Sequence, residues 1–142
     1  MTIPDLNVLL YAADSSSPRN REAVTWLEET LNGEKDTVGV PWAVHLGFVR
    51  LTTNPKVFPR PLTVDAATAW LDHLESHPSV RMVNPGEAHR GILRHLLLLL
   101  GTGANLTADA HLAALALEHD ATFVTGDRDF QRFQGLKVKL LF

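Results

Sequence analysis

The apolar positions along this chain change period repeatedly, and each change marks an element. Met1-Thr2-Ile3-Pro4-Asp5 reads as a short first strand that ends at an acid. Asn7 to Ala13 is poor in β-branched residues and rich in leucine and alanine, which favours a turn of helix after Asp5. A loop from Asp14 to Pro18 precedes an amphipathic helix over Arg19 to Leu31, with Ala23, Trp26, Leu27 and Leu31 inward and Asn32-Gly33 at its close. Val38-Gly39-Val40 fits a short strand or connector. Pro41 suits the first position of a helix, and Val44, Leu46, Phe48, Val49 and Leu51 surround Trp42 to Thr52 almost completely, predicting a buried helix.

A proline-rich loop over Asn54 to Pro61 leads to Thr63, which caps a helix running to about His77 with Ala66, Ala69, Trp70 and Leu74 inward. Val80 to Val83 reads as a strand and Glu87 to Leu100 as a helix stopped by Gly101-Thr102-Gly103. Thr107 then looks like an N-cap, Asp109 falls in the first turn where the helix dipole favours an acid, and His119-Asp120 closes the helix. Thr122-Phe123-Val124 is a buried-type strand, Thr125-Gly126-Asp127 turns off its end, and Leu136 to Leu141 alternates loosely as a last strand. Helices interleave with short strands that lack hairpin turns, so an α/β fold with a central, mostly parallel sheet is expected. In open sheets of this kind ligands bind beyond the carboxyl ends of the strands. Asp5 ends the first strand, Asp127 follows a later one, and Asp109 starts the helix that feeds that later strand. Acids about 100 residues apart thus have a topological reason to meet.

Composition narrows the chemistry. The 142 residues suffice for one domain, 1–142, with a proper core. A net charge of −3 argues against a polybasic nucleic-acid binder, yet carboxylates that gather cations would lower the formal charge without excluding RNA. Without cysteine there is neither a disulfide nor a thiolate metal site. No signal-peptide pattern follows Met1, and the apolar run Ile92 to Leu100 is about half of what a membrane span needs, so a soluble cytoplasmic protein is expected. If Asp5, Asp109 and Asp127 meet, two ionised carboxylates about 4 Å apart repel by about 4 kcal/mol at an effective dielectric near 20. Such a group needs a proton, a basic partner or a metal, and all-oxygen ligation suits magnesium or manganese rather than zinc. The seven histidines show no zinc spacing, and His111 reads as a partly buried helix residue. Trp26, Trp42 and Trp70 read as core anchors. Arg19, Arg21, Arg50, Arg128 and Arg132 are candidates to line a path for RNA phosphates, or are plain surface charges.

Three segments together resemble PIN-domain ribonucleases: Pro4-Asp5-Leu6-Asn7-Val8-Leu9-Leu10-Tyr11-Ala12, Asp109-Ala110-His111-Leu112-Ala113-Ala114-Leu115-Ala116 and Val124-Thr125-Gly126-Asp127-Arg128-Asp129-Phe130. The nearest likeness is to the VapC-type toxins of bacterial toxin–antitoxin modules, particularly those of actinobacteria. It extends to Pro41-Trp42 and to Phe48-Val49-Arg50-Leu51-Thr52-Thr53-Asn54-Pro55. The resemblance implies a PIN-like three-layer α/β/α fold and a magnesium-dependent endoribonuclease that hydrolyses RNA phosphodiester bonds with a metal-activated water. It also implies a cognate VapB-type antitoxin and a homodimer, and leaves open whether transfer, ribosomal or messenger RNA is cut. Matched position by position, Asp5 and Asp109 become the principal metal ligands, Asp127 completes the site, Asp129 is a further ligand or loop former, and Asn7 orients a neighbouring carboxylate or water. One position departs: Gly47 stands where many members carry a glutamate. The alternative is therefore a PIN-like module that binds RNA or antitoxin with weak or lost catalysis. His45, two residues away, points elsewhere on the helix and does not substitute, and Glu22 is only a remote contributor.

Overall fold

The computed structural model describes residues 1–142. Five short strands, β1 (Thr2–Pro4), β2 (Val38–Pro41), β3 (Val80–Val83), β4 (Thr122–Thr125) and β5 (Lys137–Leu140), form one sheet in the order β3-β2-β1-β4-β5, parallel throughout. The helices are α1 (Leu6–Ala13), α2 (Asn20–Asn32), α3 (Trp42–Thr52), α4 (Val64–Glu75), α5 (His89–Leu100) and α6 (Thr107–Glu118). The expected α/β class with a parallel sheet is therefore what forms. From β1 the chain moves outward through β2 to β3, then returns across the sheet to β4. Right-handed crossovers place α1 to α4 on one face and α5 with α6 on the other, in line with the packing of α1 on α2 and α3, of α3 on α4, and of α5 on α6. The strand order reverses between β1 and β4, the place where such sheets open a crevice.

The central strands are buried on both faces, so they read as short apolar runs rather than alternating ones. Ile3, Val38, Val40, Phe123 and Val124 are fully buried. Phe123 lies against Phe130 with ring centroids 4.5 Å apart, and Phe48 of α3 stacks on Trp70 of α4 at 4.7 Å. The outer strand β5 is half exposed, with Lys137 and Lys139 outward, a usual guard on a free sheet edge. Between α5 and α6, buried His89 meets His111 (Nε2 to Nδ1, 2.9 Å) and Glu118 (Nδ1 to Oε2, 3.5 Å), so His111 is the structural helix residue expected. No helix is long and apolar enough to cross a membrane.

Several local expectations change. Helix α3 is not buried all round: Trp42 and Leu46 are 51% and 61% exposed, because only the stripe through Val44, Gly47 and Phe48 meets the core. Trp42 is thus no core anchor, whereas Trp26 is buried. Helix α4 turns Ala67, Leu71 and Leu74 inward and leaves Ala66 and Ala69 in solvent. On α5 the leucine run divides, Leu96 buried and Leu98 and Leu99 exposed. Thr107 is the first residue of α6 rather than its cap, since a 3₁₀ turn over Ala104–Leu106 feeds straight into the helix and Thr107 is already helical (φ −62°, ψ −43°). At the other end Asp120 takes the left-handed conformation expected of a short polar residue (φ 50°). Truncating Phe123 to alanine should cost about 3–5 kcal/mol by leaving a cavity at the centre of the sheet, read as a lower urea midpoint; an unchanged midpoint would contradict the assigned core.

Candidate active site

Asp5 stands where β1 becomes α1. Its backbone is extended (φ −65°, ψ 155°), its amide donates to the Val124 carbonyl at 2.8 Å, and its carboxylate caps α1 by accepting the Leu6 amide at 2.7 Å. The other carboxylate oxygen accepts the Thr125 hydroxyl at 2.7 Å. Thr125, fully buried at the end of β4, accepts in turn from the Asp127 amide at 3.0 Å. Asp127 then caps a 3₁₀ turn over Arg128–Arg132 by accepting the Asp129 amide at 2.8 Å. A continuous hydrogen-bonded line, Asp5–Thr125–Asp127–Asp129, therefore crosses from β1 to the loop after β4. Asp109 enters from the first turn of α6, half-buried.

Thr125 had shown only as part of a turn. Its hydroxyl does the orienting work expected of Asn7, which stands exposed in the first turn of α1 while Asp5 takes its hydrogen bonds from Leu6 and Thr125. The only hint in the sequence is a β-branched hydroxyl residue two places before an acid, which many turns share. Asp129 lies at the rim, ion-paired with Arg132 at 3.1 Å, and it is Asp127 that caps the turn. His45 is bound to Glu75 of α4 at 2.6 Å and takes no part. Glu22 lines a surface hollow with Arg21, Glu29 and Lys139. Gly47 faces α1: a Cβ there would come within 2.6 Å of Leu6 Cδ2, so the glycine admits Leu6, the residue whose amide holds Asp5.

Burial pushes the Asp5 carboxyl above its ordinary range; the bonds from Thr125 and Leu6 pull it down, and the charges of Asp109 and Asp127 push it up again. Burial also raises Asp109, followed by the charge of Asp127, while Arg132 pulls it down and Asp129 adds to the rise. No hydrogen bond from the protein offsets the rise at Asp109. No three acidic or histidine side chains are arranged closely enough to enclose an ion by themselves. A hard, hydrated divalent cation typically takes one or two carboxylates and keeps several waters; Asp5 and Asp109 are the carboxylates that could hold one, and the charge of Asp127 acts on both. A folded carboxyl with a raised pKa binds a proton that the unfolded chain releases. Stability held at low pH is therefore lost as the pH climbs from 3.8 through the raised values. Asp109→Asn should accordingly raise the melting temperature at neutral pH, with the gain closing in acid; calorimetry showing a gain independent of pH would contradict this coupling.

Comparison with known proteins shows the family and the fold. The family model described as PIN domain matches residues 2–136. The chain is 47% identical over 137 residues to Ribonuclease VapC37 of Mycobacterium tuberculosis, covering 96% of this chain and 94% of that one. It is 39% identical over 137 residues to Ribonuclease VapC33 of the same species, with 96% and 95% covered. Among solved structures, VapBC2 from Rickettsia felis bound to a DNA fragment from their promoter superposes with a TM-score of 0.75 at 16% identity, covering 99% of this chain and 98% of that one. VapBC-1 from nontypeable Haemophilus influenzae gives 0.71 at 15% identity, covering 99% and 97%. These two show the fold, and the mycobacterial relatives show the kinship. With a parallel five-stranded sheet, acids gathered at its switch point and this degree of identity, the chain belongs to the PIN-domain family, among its VapC ribonucleases.

Proposed function

We propose that this protein is the toxin of a two-component module, a divalent-metal-dependent endoribonuclease restrained by a VapB-type antitoxin. The observation that carries the reading is Asp5, 7% exposed, held by Thr125 at the switch point and facing the charges of Asp109 and Asp127 with no basic side chain bonded to it. A protein keeps such a destabilising cluster where its charge has a use. Magnesium, or manganese in its place, is the cation this donor set suits, and when bound it would polarise a phosphoryl oxygen and lower the barrier by several kcal/mol.

The residues of the chain supply the rest. Thr125 and the Leu6 amide lock the Asp5 carboxylate in one orientation, so no rotamer search accompanies substrate binding. Asp109, bearing no protein hydrogen bond, is available to hold the attacking water and take its proton as the new phosphorus–oxygen bond forms, while the old one breaks and the departing ribose oxygen takes a proton from solvent. Asp127 adds negative charge from the far wall, and its cap on the 3₁₀ turn keeps the loop in place. Asp129, tied to Arg132, shapes the rim. Asn7, exposed beside Asp5, is placed to meet water or substrate.

Gly47 motivates a second reading, a module that binds RNA or antitoxin without turnover. Its packing against Leu6 supports an intact Asp5 wall instead, since the glycine makes room for the residue that orients the acid. Protein freed of its antitoxin should cleave RNA in magnesium or manganese, stop in EDTA, and lose about a thousandfold in rate on Asp109→Ala. Sequencing the RNA ends produced after induction in cells would identify the target. Equal cleavage in EDTA would refute the metal-dependent mechanism, and RNA binding without cleavage in excess manganese would favour the binding module.

A further inference from the structure

The arginines near the acidic loop are not equivalent. Arg132 is committed, its guanidinium 3.1 Å from the Asp129 carboxylate and its Nε bonded to the Asp129 carbonyl at 3.0 Å. Arg19 is exposed, and none of the ion pairs of the molecule includes it. Neither Asp5 nor Asp109 owes any part of its shift to Arg19. Its charge is therefore not spent on Asp5 or Asp109.

The position of Arg19 is nevertheless built. Its guanidinium carbon lies 5.0 Å from the centre of the Phe142 ring and 5.6 Å from that of Tyr11, and these rings meet edge to face at 5.2 Å. The approach to α2 is pinned to the end of α1, because the Asn20 side-chain amide donates to the carbonyls of Tyr11 at 2.8 Å and Ala12 at 3.2 Å. Phe142 is brought in by its neighbour Leu141, whose amide donates to the Thr125 carbonyl at 3.0 Å. The whole group abuts the site loop at Gly126, between Thr125 and Asp127. A Cβ on Gly126 would lie 2.5 Å from Phe142 Cδ2, so this glycine is what lets the ring come so close, and it would lie at ordinary contact distance, 3.5 Å, from Arg19 Nη1 beside it. A guanidinium held over aromatic rings keeps its N–H fork free for a bidentate partner, and phosphate oxygens match that fork.

We propose that Arg19, shelved on Tyr11 and Phe142 against Gly126, grips a backbone phosphate of the bound RNA next to the phosphate cut at the acidic cluster. The inference rests on the reading of that cluster as an RNA-cleaving site. A negatively charged site repels its polyanionic substrate, and an uncommitted cation one residue from Asp127 counters that repulsion without neutralising the carboxylates. It makes Arg19 a binding and positioning residue rather than one that takes part in bond breaking.

Binding of a labelled, mixed-sequence single-stranded oligoribonucleotide to the Asp5→Asn protein separates this proposal from the question of turnover. Adding Arg19→Ala should weaken binding about tenfold and reduce the slope of log affinity against log salt by about 0.7. Arg19→Lys should keep the salt slope and regain part of the affinity, and Phe142→Ala should weaken binding with Arg19 still present. In the otherwise unaltered enzyme, Arg19→Ala should act on KM more than on kcat. Unchanged affinity and slope overturn the proposal, as does a loss of binding accompanied by a lower melting temperature that Arg19→Lys does not restore. So does failure of the Asp5→Asn protein to bind the oligoribonucleotide at all. Unchanged RNA binding with weakened inhibition by the antitoxin would assign Arg19 to the protein partner and overturn it too. Binding that follows these expectations in a protein that never cleaves RNA would leave Arg19 in place and remove the catalytic reading alone.

Discussion

Burial of charge, sharpened by repulsion between carboxylates at the carboxyl edge of a parallel sheet, is the constraint around which this molecule is arranged. Asp5 is nearly buried, and both Asp109 and Asp127 raise the cost of its charge. Folding does not relieve that cost with a bonded lysine or arginine at Asp5. It offsets the cost with two hydrogen bonds, from the Leu6 amide and the Thr125 hydroxyl, and with the fully buried apolar strands on either side. The core stabilises the fold while the acids work against it, which is the usual balance at a functional site.

The sheet order decides where that repulsion falls. Since β1 and β4 are neighbours and the order reverses between them, the ends of these strands open one crevice, around which stand Asp5 at the cap of α1, Asp109 in the first turn of α6 and Asp127 at the cap of the 3₁₀ turn. Thr125 is the hinge of the arrangement: one hydroxyl donates to Asp5 and accepts from Asp127, binding residues 120 positions apart in the chain with a two-residue loop. Two glycines serve the same place by withholding a side chain. Gly47 makes room for Leu6 behind Asp5, and Gly126 for Phe142 beside Asp127.

The surface away from this crevice has a different character. Trp42 and Leu46 on α3, and Leu98 and Leu99 on α5, are large apolar side chains in solvent, and Arg90 and Arg94 border the α5 group. Helix periodicity had assigned Trp42 and Leu46 to the core because α3 is apolar over more of its circumference than its neighbours cover. Burial on a helix is decided by what packs against it, and α3 offers only its Val44, Gly47 and Phe48 stripe to α1 and the core.

Much of the architecture was legible in the chain alone. Period changes located four of the five strands and left Val38 to Val40 open between strand and connector, the absence of hairpin turns demanded crossovers, and the three motif segments brought Asp5, Asp109, Asp127 and Asp129 forward. These are local properties or follow from connection rules, so one dimension suffices to read them. The Thr125 bridge, the fit of Leu6 over Gly47 and the shelf beneath Arg19 were not legible. Each joins residues distant in sequence through distances of a few ångströms, and no pattern of residue types encodes such a distance. Sequence thus determined which elements form and which acids are candidates for the site, whereas the tertiary structure decided which groups orient Asp5 and which arginine is shelved on aromatic rings beside Gly126. The physical reason is that secondary structure follows from neighbours along the chain, while hydrogen-bond partnership and burial depend on neighbours in space.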